Sequence, residues 1–239
     1  MDYAANLLTI ESRIKAACDR ALRLRESVEL LAVSKGQTSQ AIQALAQEGL
    51  ILFGENKVQE ARAKIPQCPP HLKWHMIGHL QSNKCRDAVL TFDFIEGVDG
   101  LSLASELEKW GQKLGRIKKV LIEVNIGGEG SKYGVPPVEI VPTLLRINEF
   151  PHLEVHGLMT VAPYSPDPER VRGFFRKMRE CKLDCEAALG APLPQLSMGM
   201  SNDFEVAIEE GSTRVRIGTF LFGARVRKNF DKSESGYNE

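Results

Sequence analysis

Short apolar segments alternate with amphipathic segments along almost the whole of this 239-residue chain, and this alternation limits its possible folds more than any other feature. The apolar segments have the length and composition of buried β-strands, and the segments between them have helical spacing. We predict eight strands: ELLAVSK from Glu29, LILFGEN from Leu50, KWHMIGHL from Lys73, FDFIEGVD from Phe92, KVLIEVNI from Lys119, LEVHGLMTV from Leu153, PQLSMG from Pro194 and TRVRIGTFLFG from Thr213. Eight such units in about 200 to 250 residues predict an α/β protein with a single (β/α)8 barrel.

Residues typical of helix ends support this division. Ser39 precedes the first predicted outer helix and Gly49 follows it, while Gly115 follows a later helix and Asp167 with Pro168 opens the longest one. The alternative fold is a doubly wound open sheet. Such a sheet usually shows a phosphate-binding glycine pattern after its first strand, and AVSKGQTSQ has no such pattern.

The two ends of the chain are expected to lie outside the eight regular units. The segment after the last strand, RKNFDKSESGYNE, is too charged for an eighth outer helix, so the N-terminal helix is expected to cover that gap. We therefore predict an N-terminal helix in residues 1–28 that packs on the barrel, the barrel itself in residues 29–228, and a flexible C-terminal tail in residues 229–239.

The charge balance argues against nucleic acid or membrane partners. Lys plus Arg is 31, Asp plus Glu is 31, and the signs are interspersed. No apolar run approaches the roughly 20 residues of a membrane span, and MDYAANLLTI does not resemble a signal peptide. Cys181 and Cys185 are expected to be small buried hydrophobes rather than metal ligands. We therefore expect a cytoplasmic protein without a metal site.

Polar residues collect where the predicted strands end, and in a barrel of parallel strands these carboxyl ends open on one mouth. Lys35 ends the first strand. A strand that is buried on both faces has no favourable place for an ammonium group, so Lys35 either points into water or is held for chemistry.

The segments after the seventh and eighth strands suit a phosphate group. In GMSND, Ser201 and Asn202 lead into a predicted helix whose free amides and dipole would face an anion. In RIGT, Gly218 allows close approach of the backbone, and Thr219 adds a hydroxyl. The alternative is that Ser201, Asn202 or Asp203 has an ordinary role as a helix cap.

A phosphate cradle together with a strand-end lysine indicates a ligand that carries both a phosphate and an aldehyde. A partly desolvated lysine has a lowered pKa, so its neutral amine can form an imine with a carbonyl. Pyridoxal 5'-phosphate (PLP) fits this description, and so do some sugar phosphates that aldolases use. The chemistry of the residues leaves these two open.

Six ordered motifs resemble one known family. AVSKGQ, FGENKVQEARAK, WHMIGHLQSNK, VNIGGEGSKYGV, HGLMTVAP and LSMGMSNDFEVAIEEGSTRVRIGTFLFGAR are similar to the pyridoxal phosphate homeostasis proteins, from about Leu30 to Arg225. The resemblance implies a single barrel of the alanine racemase type, fold type III among PLP-binding folds. It also implies a Schiff base at Lys35, phosphate contacts from Ser201, Gly218 and Thr219, Arg216 facing the pyridine nitrogen, and Asn56 and Met200 lining the same pocket.

The resemblance favours a PLP-binding protein of intracellular PLP homeostasis over an enzyme. An arginine beside the pyridine nitrogen keeps that nitrogen unprotonated and weakens the ring as an electron sink. We expect no catalytic residues, a monomer, and PLP-dependent apoenzymes or regulatory proteins as partners. The alternatives are a PLP-dependent amino acid racemase, which in this fold class carries a second domain, and a Schiff-base aldolase without a cofactor.

Other polar residues are expected to have simpler roles. His75 is expected to pack or to make an internal hydrogen bond, and His79 is a candidate cofactor contact near the mouth. The spacing of these two histidines places them on one face of a strand, without a metal between them. Whether Lys132 or Lys84 takes part in PLP transfer stays open, and for Lys132 a solvated loop position is the preferred interpretation.

Overall fold

Eight parallel strands close into a barrel in the computed structural model, which describes residues 1–130 and 132–223. Each strand pairs with the next, and β1 closes the ring by pairing with β8, with Ala32 opposite Ile217. The predicted single (β/α)8 barrel is therefore confirmed. The strands are β1 (Glu29–Val33), β2 (Leu52–Glu55), β3 (Lys73–Met76), β4 (Phe94–Val98), β5 (Lys118–Glu123), β6 (Leu153–Met159), β7 (Gln195–Met200) and β8 (Arg214–Ile217).

Helices cover the outside of the barrel, with short 3-10 turns before several of them. Their buried residues recur at helical spacing, as Ile42 and Leu45 do on α2, and they pack on the outer faces of the strands. Cys181 and Cys185 are buried on α7, as expected. The helices are α1 (Tyr3–Arg20), α2 (Ser39–Gln47), α3 (Val58–Lys64), α4 (Cys85–Thr91), α5 (Leu101–Leu114), α6 (Ile140–Asn148), α7 (Arg172–Leu189), α8 (Phe204–Glu209) and α9 (Thr219–Phe222).

Three local predictions need correction. β8 ends at Ile217 rather than continuing to Gly223, because the chain turns at Gly218 and forms α9. His79 lies in the loop after β3, so it does not share a strand face with His75. The residue that caps α2 is Thr38, whose hydroxyl accepts a hydrogen bond from the amide of Ala41 at 3.2 Å.

α1 packs against α8, α9 and α2. Arg13 makes two hydrogen bonds of 3.1 Å to the carboxylate of Glu205, and its guanidinium stacks on the rings of Phe204 and Phe220 at 4.8 and 5.0 Å. Asn6 donates a hydrogen bond to the carbonyl of Leu221. α1 is thus attached to the two short helices that follow β7 and β8. The predicted tail, residues 229–239, lies outside the described residues.

The interior of the barrel holds a buried polar cluster around Glu96 on β4. One carboxylate oxygen contacts Nδ1 of His75 at 2.6 Å and Nη1 of Arg214 at 3.1 Å, and the other accepts a hydrogen bond of 2.6 Å from the hydroxyl of Ser197. That hydroxyl in turn accepts a hydrogen bond from Arg216. Burial opposes ionisation of Glu96, but Arg214, His75 and Arg216 outweigh it and lower the pKa of Glu96 to about 2.

Within the described residues, no helix is both long enough and apolar enough to cross a membrane.

Replacing Glu96 by Gln should destabilise the barrel, because it leaves Arg214 as a buried cation without this carboxylate. We expect the free energy of unfolding in urea to fall by about 3 to 5 kcal/mol. Glu154→Gln is the control, since Glu154 is exposed and, among the described residues, pairs with the side chain of His156 at 3.3 Å. It should change stability by no more than about 0.5 kcal/mol. Equal stability of the two variants would contradict the role assigned to this cluster.

The same pair of variants should differ in acid sensitivity. The pKa of Glu96 is lower in the folded protein than in the unfolded chain, so its ionised form stabilises the fold above the unfolded pKa of about 4.3. This stabilisation is lost as the pH falls through the folded pKa of about 2. Wild type should therefore lose more stability than Glu96→Gln across that interval, as urea midpoints at a series of pH values would show.

Candidate functional site

A cavity of about 520 Å³ opens at the carboxyl ends of the strands. The structure brings every predicted contact residue to it, although the residues come from four separate places in the chain. The predicted residues that line the cavity are Lys35, Asn56, Met200, Ser201, Arg216, Gly218 and Thr219. Their individual roles stay predictions.

Lys35 reaches the cavity from the turn after β1. The strand ends at Val33, Ser34 is completely buried, and Lys35 is half-buried at the rim. Gly36 then turns the chain with a φ of +74°, a conformation that side chains with a Cβ seldom adopt. The lysine therefore leaves a buried strand at a sharp turn and lines the cavity.

The loop after β7 differs in one respect from the prediction. α8 contains only six residues, and its cap residue is Asp203, which makes no side-chain bond to the first turn of that helix. The carboxylate of Asp203 instead accepts a hydrogen bond of 2.6 Å from the amide of Met200. Ser201 and Asn202 are not cap residues, and turn and loop hydrogen bonds within the described residues do not use their amides. The amides and the hydroxyl, rather than a helix dipole, are what this loop offers an anion.

The loop after β8 approaches β1 closely at Gly218. A Cβ on Gly218 would lie 3.3 Å from both the Cβ and the carbonyl oxygen of Val33, which is tighter than ordinary contact. α9 begins at Thr219, and the first amides of a helix have no partner within the helix. The amide and hydroxyl of Thr219 are therefore placed at the cavity wall, beside Ser201 from the neighbouring strand end.

Asn56 carries an unused polar atom. Its side-chain oxygen is buried and has no hydrogen-bond partner among the described residues, and the residue lines the cavity. A buried amide oxygen without a partner is costly, typically about 1 to 3 kcal/mol. The described part of the protein therefore leaves this acceptor unused.

Arg216 lines the cavity from the barrel interior. Only 4% of the residue is exposed, and its guanidinium donates hydrogen bonds of 2.7 Å to the hydroxyl of Ser197 and to the carbonyl of Thr160. Burial lowers the pKa of Arg216, and the nearby carboxylates of Glu96 and Glu123 oppose this shift. The side chain is held in one orientation, which suits a role in contacting a bound ring.

Glu123, which ends β5 and also lines the cavity, was not predicted as a site residue from the sequence. Burial raises the pKa of Glu123 to about 7, while the charge of Arg216 opposes this shift. A carboxyl group of this kind can hold or release a proton near neutral pH. Its position at the end of an interior strand was the only signal in the sequence, and that signal does not distinguish it from other strand-end residues.

Of the histidines and lysines with simpler predicted roles, His79 lines the site cavity, whereas His75, Lys132 and Lys84 do not. His75 makes the expected internal hydrogen bond, to Glu96. His79 lines the cavity, with Nδ1 3.0 Å from a carboxylate oxygen of Asp99 and its ring stacked on Tyr133 at 3.6 Å. Lys132 lies 2.6 Å from Glu129 and lines a smaller adjoining cavity that shares Glu123 with the site, and Lys84 lines another that shares Asn56 with it.

Within the described residues, no three His, Cys, Asp or Glu side chains come together in a way that could hold a metal ion.

Comparison with known proteins identifies the family. The alanine racemase N-terminal domain family matches residues 6–226. A pyridoxal phosphate homeostasis protein of Aquifex aeolicus is 43% identical over 226 residues, which cover 94% of this chain and 99% of that protein.

Solved structures agree with this match. The structure of PipY from Synechococcus elongatus with PLP bound has a TM-score of 0.82 and 34% identity, and the alignment covers 93% of this chain and all of PipY. An alanine racemase from Clostridium difficile has a TM-score of 0.70 at 15% identity, covering 94% of this chain and 56% of the racemase, and shares the fold. The chain is therefore a member of the pyridoxal phosphate homeostasis protein family, which belongs to the larger family of the alanine racemase N-terminal domain.

Proposed function

We propose that this protein binds PLP as a Schiff base on Lys35 and takes part in PLP homeostasis without turning over amino acids. The observation that carries the proposal is a single cavity lined both by the lysine after β1 and by the two loops after β7 and β8. A family relative whose structure contains PLP supports the choice of cofactor. Sugar phosphates, the other ligands that the residues allow, have no such support.

The cavity fits PLP in size and in chemistry. Its volume lies within the range of about 300 to 1,000 Å³ that is typical of small-molecule sites. The polar side chains of Lys35, Ser201 and Thr219 line it, which suits a polar ligand. When bound, PLP would supply an aldehyde and an electron-withdrawing ring.

Each end of the cofactor has residues of this chain to hold it. Ser201 and Thr219 offer hydroxyls and amides to the phosphate, and charge-assisted hydrogen bonds of this kind are stronger than neutral ones. Arg216 is held by Ser197 and by the carbonyl of Thr160, and its charge would disfavour protonation of a ring nitrogen beside it. The ring would then stabilise a carbanion poorly, which argues for binding rather than turnover.

Amino acid racemisation is the second candidate function. It requires an acid and a base on opposite faces of the substrate Cα. Lys35 could serve one face, and Glu123 and His79 are the other proton-exchanging groups among the described lining residues. Glu123, with a pKa of about 7, is the observation that favours this candidate. The chain spans 56% of the length of the related alanine racemase.

The cellular role follows from binding without turnover. We propose that the protein acts in the cytoplasm as a monomer, limits the concentration of free aldehyde, and hands PLP to apoenzymes or responds to regulatory proteins.

Replacing Lys35 by Ala should abolish the visible absorption band of the PLP-loaded protein, because no other described lysine lines the cavity. Borohydride reduction of the wild-type protein and peptide mapping should place the pyridoxyl group on Lys35. Lys132→Ala and Lys84→Ala are the matched controls and should keep the band. A pyridoxyl group mapped to Lys132 or Lys84 would show that the assignment of Lys35 is wrong.

The double variant Ser201→Ala with Thr219→Ala should weaken PLP binding by about 10-fold or more, because two hydrogen bonds to a charged phosphate are lost. Its affinity for pyridoxal, which has no phosphate, should stay unchanged. Equilibrium titrations with both ligands measure the difference. Thr9→Ala, an exposed hydroxyl on α1, is the control for loss of a hydroxyl. Equal weakening for pyridoxal and PLP would remove the phosphate assignment.

The PLP-loaded protein should exchange the α-proton of L-alanine in heavy water no faster than free PLP does. Each acid or base in a racemase contributes about 100-fold or more in rate, so catalysis would be clearly visible. Rapid exchange with inversion that Glu123→Gln abolishes would establish the racemase instead.

A further inference from the structure

The backbone on both sides of Lys35 is held by a cluster of three charged residues, the buried Lys64 and Glu55 and the partly exposed Glu60. We propose that Lys64 is a positioning residue, which fixes the direction in which the Lys35 side chain leaves the main chain. The inference rests on the proposed function, since the amine of Lys35 matters only if it binds the ligand.

Lys64, on α3, uses its ammonium group for three short contacts. Nζ lies 2.9 Å from the carbonyl oxygen of Ser34, 2.7 Å from Oε1 of Glu55 and 2.9 Å from Oε1 of Glu60. An ammonium group has three N–H donors, so these acceptors use all of them. Only 7% of Lys64 is exposed, which means that the group has left water for this cluster.

Both carboxylates also accept hydrogen bonds from the residues next to Lys35. Glu55 accepts a hydrogen bond of 2.6 Å from the hydroxyl of Ser34, and Glu60 accepts one of 2.5 Å from the amide of Gly36. Glu55 also directly precedes Asn56, which lines the cavity. Lys64 is thus bound, directly or through one carboxylate, to the residue before Lys35 and to the residue after it.

These contacts fall on the two peptide groups that flank the Cα of Lys35. The carbonyl of Ser34 belongs to the peptide group before this Cα, and the amide of Gly36 belongs to the group after it. Because peptide groups are planar, holding both planes fixes φ and ψ of Lys35 and therefore the direction of its Cα–Cβ bond. A cluster that only stabilised the fold would not need to contact both planes.

A fixed direction of the Lys35 side chain affects ligand binding through both entropy and geometry. Once the phosphate end of the ligand is docked, imine formation by Lys35 is effectively an intramolecular reaction. Its entropic advantage depends on where the amine is placed. A misplacement of about 1 Å can cost about 100-fold. Loss of the cluster should therefore weaken PLP binding even though Lys64 itself does not line the cavity.

Lys64→Met tests the proposal, and Lys118→Met is its matched control. Lys118 is also 7% exposed, and its ammonium group donates a hydrogen bond to a backbone carbonyl, that of Phe92. It lies on β5 and does not line the cavity. Both variants remove one buried ammonium group, but only Lys64→Met releases the backbone beside Lys35.

Glu60 provides a second pair of variants in case Lys64→Met does not fold. Its side chain is 29% exposed, so substitutions there are less disruptive. Glu60→Ala removes the acceptor for the amide of Gly36. Glu60→Gln keeps an oxygen acceptor at the same place and should restore most of the effect.

Two measurements follow each variant. In the protein without PLP, hydrogen exchange of the Gly36 amide should be faster in Lys64→Met and Glu60→Ala than in wild type, Lys118→Met or Glu60→Gln. In the loaded protein, the first two variants should bind PLP about 10-fold or more weakly and should change the visible circular dichroism of the bound PLP.

The outcomes separate this inference from the proposed function. Wild-type affinity and dichroism in Lys64→Met and Glu60→Ala would overturn the positioning role, as would an equal loss in Lys118→Met. A wild-type protein that forms no imine at Lys35 would overturn the proposed function, while the exchange of the Gly36 amide would still show whether the cluster holds the backbone.

Discussion

The barrel interior depends on the contacts of one buried carboxylate, that of Glu96. It balances Arg214 directly and reaches Arg216 through the hydroxyl of Ser197, so it joins β4 to β7 and β8 across the barrel. A buried ion pair of this kind stabilises the fold only while both partners are present. The removal of one partner leaves a charge in a medium that solvates it poorly. Arg216 also lines the cavity, and the same cluster that links strands inside the barrel therefore orients a side chain of the site.

Much of the site could be predicted from the sequence because the barrel converts order along the chain into position in space. Lys35 and Ser201 each follow a predicted strand, and parallel strands in a closed barrel end at one mouth. That rule needs no knowledge of side-chain contacts. It was least accurate at the end of β8, where TFLF is apolar enough to continue a strand but forms α9 after the turn at Gly218.

Contacts between distant side chains could not be predicted in this way. Glu96 and Arg214 are 118 residues apart, and nothing in the local sequence around either indicates the other. The same holds for Lys64, whose position on α3 reads as an ordinary helical lysine although it contacts Ser34, 30 residues earlier. Periodicity reports which face of an element is buried, whereas the partner of a buried charge depends on how all eight strands are arranged.

The attachment of α1 has a consequence for folding while the chain is being synthesised. Arg13 contacts Glu205, 192 residues further along the chain, and its aromatic partners Phe204 and Phe220 lie in the first turns of α8 and α9. On a ribosome, α1 emerges long before these partners exist, so an incomplete chain cannot finish the cavity. A nascent chain would therefore have the complete cavity only when synthesis has passed its last strand.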